Sequence, residues 1–248
     1  LIMAAENEFV LGMIKKPAIE QLVREKASAI LGRPVAVRFA LKNQVASHGE
    51  DPMDALVQFG QQHSDIFTIN DGQINGLHAP WDGLDDDTKF RCSTDDSLFK
   101  FSFEVNDSTL TLEPEYKDKM SVIYEDRVEI FFSPDTLMSH YYGAEMDPAG
   151  RVLDYQAEYY RQFDYTWGFK TLKYTGDIKE GHYTVSGSID LNELRELGLR
   201  LEEGFYMGVF RADYRKDGSV NWYSAVITDD ETADFHKPDM LFKAILKK

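Results

Sequence analysis

The segment "SLFKFSFEVND", residues 97–107, alternates without a break. Phe99, Phe101, Phe103 and Val105 fall on one face of an extended chain, and Lys100, Ser102 and Glu104 on the other. Such period-two patterning specifies a strand with one buried and one wet face, because successive side chains leave a strand on opposite sides. "YEDRVEIFFSPD" repeats it, with Val128, Ile130 and Phe132 opposite Arg127, Glu129 and Phe131, and stops at the turn signal Ser133-Pro134-Asp135. "YYGAEMDPAGRVLDYQAEYY" reads as a hairpin turning at Asp147-Pro148-Ala149-Gly150. Further strands are expected in "HYTVSGSI", "GFYMGVFRADY", "SVNWYSAV" and "LFKAIL", with one short helix, about residues 191–197, ending at Gly198. Many short strands separated by turns predict a mainly β chain, an antiparallel β-sandwich.

The first 70 residues read differently. "IKKPAIEQLVREKASAILGRP" is punctuated as a helix, with Pro17 in its first turn and Gly32 at its end. Ile19, Leu22, Val23, Ala27, Ile30 and Leu31 recur at helical spacing. "PVAVRFAL" then places Val35, Val37, Phe39 and Leu41 on one side of a strand, and a second helix is expected from Asp51-Pro52. The sequence thus predicts a small N-terminal α/β unit, residues 1–72, before a sandwich over residues 73–248. With 248 residues and 43% hydrophobic content, both have apolar material for a core.

Charge separates the two parts further. The net charge is −16. Residues 1–72 carry seven Lys and Arg against nine Asp and Glu, leaving −14 on the remainder. So acidic a surface repels phosphate backbones, and nucleic acid is not an expected partner. No run of about 20 apolar residues marks a membrane span, and no basic start with an apolar run and small-residue cleavage site marks a signal peptide. The single cysteine, Cys92, excludes an internal disulfide framework.

Two resemblances follow from longer stretches. "FKFSFEVNDSTL", "YEDRVEIFFSPD", "GHYTVSGSIDLNEL", "YMGVFRADY" with "WYS", and "FHKPDMLFKAIL" occur in the order found in family-9-like carbohydrate-binding modules, over about residues 74–248. The resemblance implies a non-catalytic β-sandwich, often appended to xylanases and related glycoside hydrolases. Such a module grips oligo- or polysaccharides such as xylan or cellulose between aromatic side chains, with calcium a frequent structural ligand. "FVLGMIKKPAIEQLVREKASAILGRPVAVRF" with "DPMDALVQFGQQHSDI" resembles the C-terminal part of the gamma/tau subunit of the bacterial DNA polymerase III clamp loader, over about residues 1–70. That resemblance implies an assembly role. The two families belong to different compartments, the sugar-binding part outside the cytoplasm and the replication part inside it. The chain therefore reads as a chimera joined between about Asn70 and Ile74, its sugar-binding part lacking the family's usual opening strand.

The sugar-binding resemblance directs attention to particular residues. Trp222 lies close to the position of one clamp tryptophan of the family, and its neighbour Tyr223 must point the other way. The second clamp position holds Ile123-Tyr124, so Tyr124 is the candidate substitute. Trp167 with Arg161 and Gln162 nearby offers another aromatic and polar set, and Arg211 and Asp213 share one strand face, as hydroxyl ligands or as an ordinary ion pair. Trp81 reads as a packing anchor and His236 as structural.

Metal and catalytic chemistry find less support. Asp85-Asp86-Asp87, Asp95-Asp96 and Asp229-Asp230-Glu231 supply hard oxygens suited to calcium, without EF-hand spacing. Six scattered histidines and one cysteine assemble no zinc spacing, and neither G-x-S-x-G nor H-E-x-x-H occurs. The expectation is a binding module, not an enzyme.

Overall fold

The computed structural model describes residues 2–5, 15–16, 19–24, 26, 37–41 and 66–247. The chain divides into two compact units, residues 1–64 and 65–248. In the first, strands β1 (Ile2–Ala5) and β2 (Arg38–Leu41) pair in parallel, and residues 19–24 between them are helical. Helix and strand fall where the sequence places them, although Leu22, expected on the inward face, is 53% exposed. The expected second helix at Asp51-Pro52 lies outside the described residues. No described helix is long and apolar enough to cross a membrane.

The second unit is built from mainly antiparallel strands: β3 (Phe67–Thr68), β4 (Asp71–Ala79), β5 (Leu84–Thr94), β6 (Leu98–Asn106), β7 (Arg127–Ser133), β8 (Tyr141–Met146), β9 (Val152–Glu158), β10 (Gln162–Asp164), β11 (Lys173–Lys179), β12 (His182–Asp190), β13 (Phe205–Tyr214), β14 (Val220–Ser224) and β15 (Phe242–Ile245). Pairing runs β10-β9-β8-β7-β13-β14-β4-β5-β6-β12-β11. A single register pair, Ser224 opposite His78, links β14 to β4 and so joins the two halves of this path. Phe90, Phe99, Phe103 and Val185 from one half share a core with Val128, Ile130, Phe132 and Val209 from the other, so the halves lie face to face as a sandwich.

The division between units falls eight residues before the 72/73 boundary read from the sequence. Ile69 is fully buried, its N–H donates to the Ile245 carbonyl, and Asn70 exchanges two hydrogen bonds with the Lys247 backbone. Residues 66–70 are thereby tied to the closing strand, with β3 pairing β15 in parallel.

The Gly198 stop and the Asp147–Gly150 turn fall where the sequence predicts them, and the structure adds an N-cap. Asp190 caps the helix Leu191–Glu196 by accepting from the Asn192 N–H, and Gly198 takes a positive φ of 88° just beyond it. Asp147 accepts from the Ala149 and Arg151 N–H groups, which closes the β8–β9 hairpin.

The face of β7, β8 and β13 that turns away from the sandwich core is also covered. A second cluster of Phe131, Tyr141, Leu153, Tyr155, Phe210, Phe235 and Met240 lies there. Every residue of β7 and β8 is buried in consequence. Gly143 makes room for one of these rings, since a Cβ there would stand 2.5 Å from Tyr155 Cζ. This second layer positions the site.

Candidate functional site

A cavity of about 260 Å³ opens on the outer face of β7 and β8. Alternation sends Arg127 and Glu129 of β7 and Glu145 of β8 outward, while Val128, Ile130, Ala144 and Met146 enter the sandwich core. The three polar side chains form the floor and are 5%, 1% and 5% exposed. Arg127 Nε stands 3.0 Å from Glu129 Oε1 and 2.7 Å from Glu145 Oε2. Tyr155 donates its hydroxyl to Glu145 Oε1 at 3.0 Å. Neither Arg127 contact meets strict hydrogen-bonding angles, although both lie within ion-pairing distance.

Aromatic walls rise around that floor. Trp222 of β14 stands on one side, with the Arg127 guanidinium carbon 5.5 Å from its ring centroid and Phe235 edge-on at 5.5 Å. Ile123 lies in a 3-10 turn, and its carbonyl accepts from both Arg127 and the Tyr214 hydroxyl. Phe163 and Tyr165 stack at 5.2 Å on another side. At the rim Arg161 pairs with Asp234 at 2.6 Å, and Tyr160 donates to the other oxygen of Asp234 at 2.6 Å.

The electrostatics follow from burial. Desolvation pushes the Glu129 carboxyl up to about 8, and the neighbouring Glu145 adds to this while Arg127 opposes it. Burial, reinforced by Arg161, drops His236 to about 3, so the ring is neutral and bonds the Tyr141 hydroxyl.

Two of the residues singled out in the sequence, Trp222 and Arg161, line this cavity. Tyr124 follows the lining residue Ile123 but is 63% exposed. Gln162 is exposed at the hairpin and bonds the Tyr159 carbonyl. Trp167 packs on Tyr142 and Phe169, beside the inter-sheet core. Arg211 and Asp213 face the interior between the sheets, opposite to Trp222, where Arg211 holds Asp86 and Asp107. Tyr223 points the same inward way, as alternation requires. Glu129 and Glu145 were legible only as strand polar positions; the signal passed over was Phe131, an aromatic on their supposedly wet face.

Several members of the acidic runs are engaged by other side chains, Asp86 by the distant Arg211. Asp85 bonds His78, Asp87 accepts from Asn106, Asp95 pairs Lys100, and Asp230 pairs Lys237. Three other carboxylates, Asp107, Asp126 and Asp213, bring oxygens within 4.8 Å of one another among the described residues. Asp213 Oδ1 is buried there without a hydrogen-bond partner. With Asp86 the cluster sets four buried carboxylates against Arg211 and the half-exposed Arg215. Hard oxygens, an orphaned acceptor and this excess of acid fit calcium. Calorimetric unfolding is expected to shift to higher temperature with calcium over EDTA, and Asp213→Asn to remove most of that increment.

The architecture defines a β-sandwich with a small polar-floored, aromatic-walled pocket on its outer face. Residues 66–248 match the family described as carbohydrate family 9 binding domain-like, and the chain belongs to that family of non-catalytic binding domains. No curated protein matches it. Among solved structures it resembles a candidate carbohydrate-binding protein of Bacteroides uniformis, at 14% identity and TM-score 0.53, over 78% of this chain and 92% of that one. A family 9 carbohydrate-binding module of Caldicellulosiruptor kristjanssonii in complex with glucose aligns at 16% identity and TM-score 0.42, over 65% of this chain and 76% of that one.

Proposed function

We propose that the second unit binds neutral plant-type saccharides, such as xylan- or cellulose-derived oligosaccharides, by seating a sugar ring in this pocket against Trp222. The observation that carries the reading is the pairing of an aromatic wall with a buried floor whose acceptors lack well-angled partners. A pyranose has C–H faces that suit an indole and a rim of hydroxyls that suits carboxyl and guanidinium groups. At about 260 Å³ the cavity lies just under the ~300 Å³ lower end of small-molecule pockets, which suits one ring rather than a run of them. An uncharged ligand also sits comfortably beside the −14 surface. The module is of the kind appended to glycoside hydrolases and working outside the cytoplasm.

Titration calorimetry with xylo- and cello-oligosaccharides tests this. The expected dissociation constants lie between about 1 mM and 1 μM. Trp222→Ala removes roughly 100 Å² of apolar contact at ~25 cal/mol/Å², about 2.5 kcal/mol, and should weaken binding about seventyfold. Saturable binding untouched by that substitution would move the site elsewhere, and no heat from any sugar with a folded protein would end the reading.

For the first unit we keep the clamp-loader-like assembly reading, supported by the helical residues 19–24 lying in sequence between the paired β1 and β2. Co-elution of residues 1–64 fused to a carrier with purified DNA polymerase III subunits would support it, and separate elution would remove it.

A further inference from the structure

The floor of the pocket places two buried carboxyl groups on one guanidinium, and the two are not equivalent. Glu145 has the shorter approach to Arg127 Nε, 2.7 Å against 3.0 Å, and also accepts the Tyr155 hydroxyl. Glu129 is the more buried, at 1% exposure, and its Oε1 has no well-angled donor. One arginine neutralises one carboxylate, and a second buried anion beside it is costly. Of the other charges around the floor only Arg161 opposes the Glu129 shift, and weakly. Arg161 is engaged by Asp234, His236 is a neutral ring bonded to Tyr141, and the hydroxyls of Tyr155 and Tyr214 go to Glu145 and the Ile123 carbonyl. On the β13 side Glu129 lies opposite Phe210, which carries no charge.

We propose that Glu129 is held as a neutral carboxylic acid and presents its O–H to the ligand, so that the pocket takes a hydroxyl-bearing, uncharged sugar and loses it when that proton leaves. The inference rests on the sugar-binding reading of the pocket. A protonated carboxyl offers one donor and one acceptor, the complement of a hydroxyl. Once ionised, the Glu129–Glu145 pair offers acceptors only, and the pocket floor gains a negative charge. A sugar acid is rejected for the same reason, because its carboxylate would meet Glu145 with no free guanidinium beneath. The direction of the Glu129 shift agrees with this assignment.

Two measurements test it together. In titration calorimetry with a cello-oligosaccharide, affinity should hold from pH 6 to 7.5 and then fall toward tenfold per pH unit above about pH 8, with proton uptake read from buffers of different ionisation enthalpy. Glu129→Gln keeps a donor in place, so its binding should survive but be the same at pH 7 and pH 9.5. Without ligand, the linkage sign is fixed: a carboxyl raised in the folded state stabilises fully below its unfolded value, and that contribution is lost as pH rises to about 8. Wild-type thermal stability should therefore decline between pH 4.5 and 8 more steeply than that of Glu129→Gln. Parallel stability curves, or a variant that keeps the wild-type decline in affinity, would overturn the neutral acid. Diverging stability curves with no sugar bound at any pH would instead overturn the sugar reading of the pocket and the donor role built on it.

Discussion

Replacing Arg211 by alanine is expected to destabilise the sandwich by about 3–5 kcal/mol, more than any single loss at the surface. The side chain is 3% exposed and lies between the two sheets, where its guanidinium reaches Asp86 on β5, Asp107 just beyond β6, and Asp213 two residues along its own strand. Its removal deletes a charge and leaves three buried carboxylates facing one another. The melting temperature of the sandwich should fall by roughly 10 °C in differential scanning calorimetry. Acidification should narrow the gap to wild type, because protonated carboxyls no longer repel. A variant that melted within 2 °C of wild type at neutral pH would show that solvent or a cation already screens this cluster.

Phe131→Ala should cost a similar 3–5 kcal/mol, for a different reason. The ring is fully buried at the centre of the outer cluster, with Phe210 edge-on at 5.0 Å, Tyr155 at 6.1 Å and His236 stacked at 5.1 Å. Deleting it opens a cavity beneath the pocket floor. Chemical denaturation should show the loss at an unchanged m-value, and sugar affinity should fall with it through the displaced Tyr155 and Glu145. Intact affinity in the destabilised variant would separate floor geometry from cluster packing.

Much of the fold was legible because alternation is a local property. "FKFSFEV", "VEIFF" and "TVSGSI" declare their strands, and Gly198 declares the end of the one short helix. The outer layer was not legible in the same way. Arg127 and Glu129 look like wet positions, yet the segment 233–241 and the β9–β10 hairpin fold over them from more than 20 residues away in sequence. No periodicity within β7 could report that cover. Trp222 and Arg161 could be nominated from composition and resemblance, whereas Glu145 and Phe163 enter the pocket through tertiary pairing alone. The three-aspartate cluster escaped notice for a related reason: its members are single residues separated by 19 and 87 positions, and of the conspicuous acidic runs only Asp86 joins them, through Arg211.

The pocket floor is also part of a buried layer, and this limits how the site can change over evolutionary time. Arg127, Glu129, Glu145 and the rings beneath them cannot be exchanged freely to suit a new sugar without loosening the strands that carry them. Tyr124, Tyr160 and Arg161, rim side chains that stand well exposed, bear no such double duty. Divergence in ligand preference among related chains should accumulate at those three rim positions while the floor stays chemically constant. An engineer seeking a new specificity should randomise the rims first.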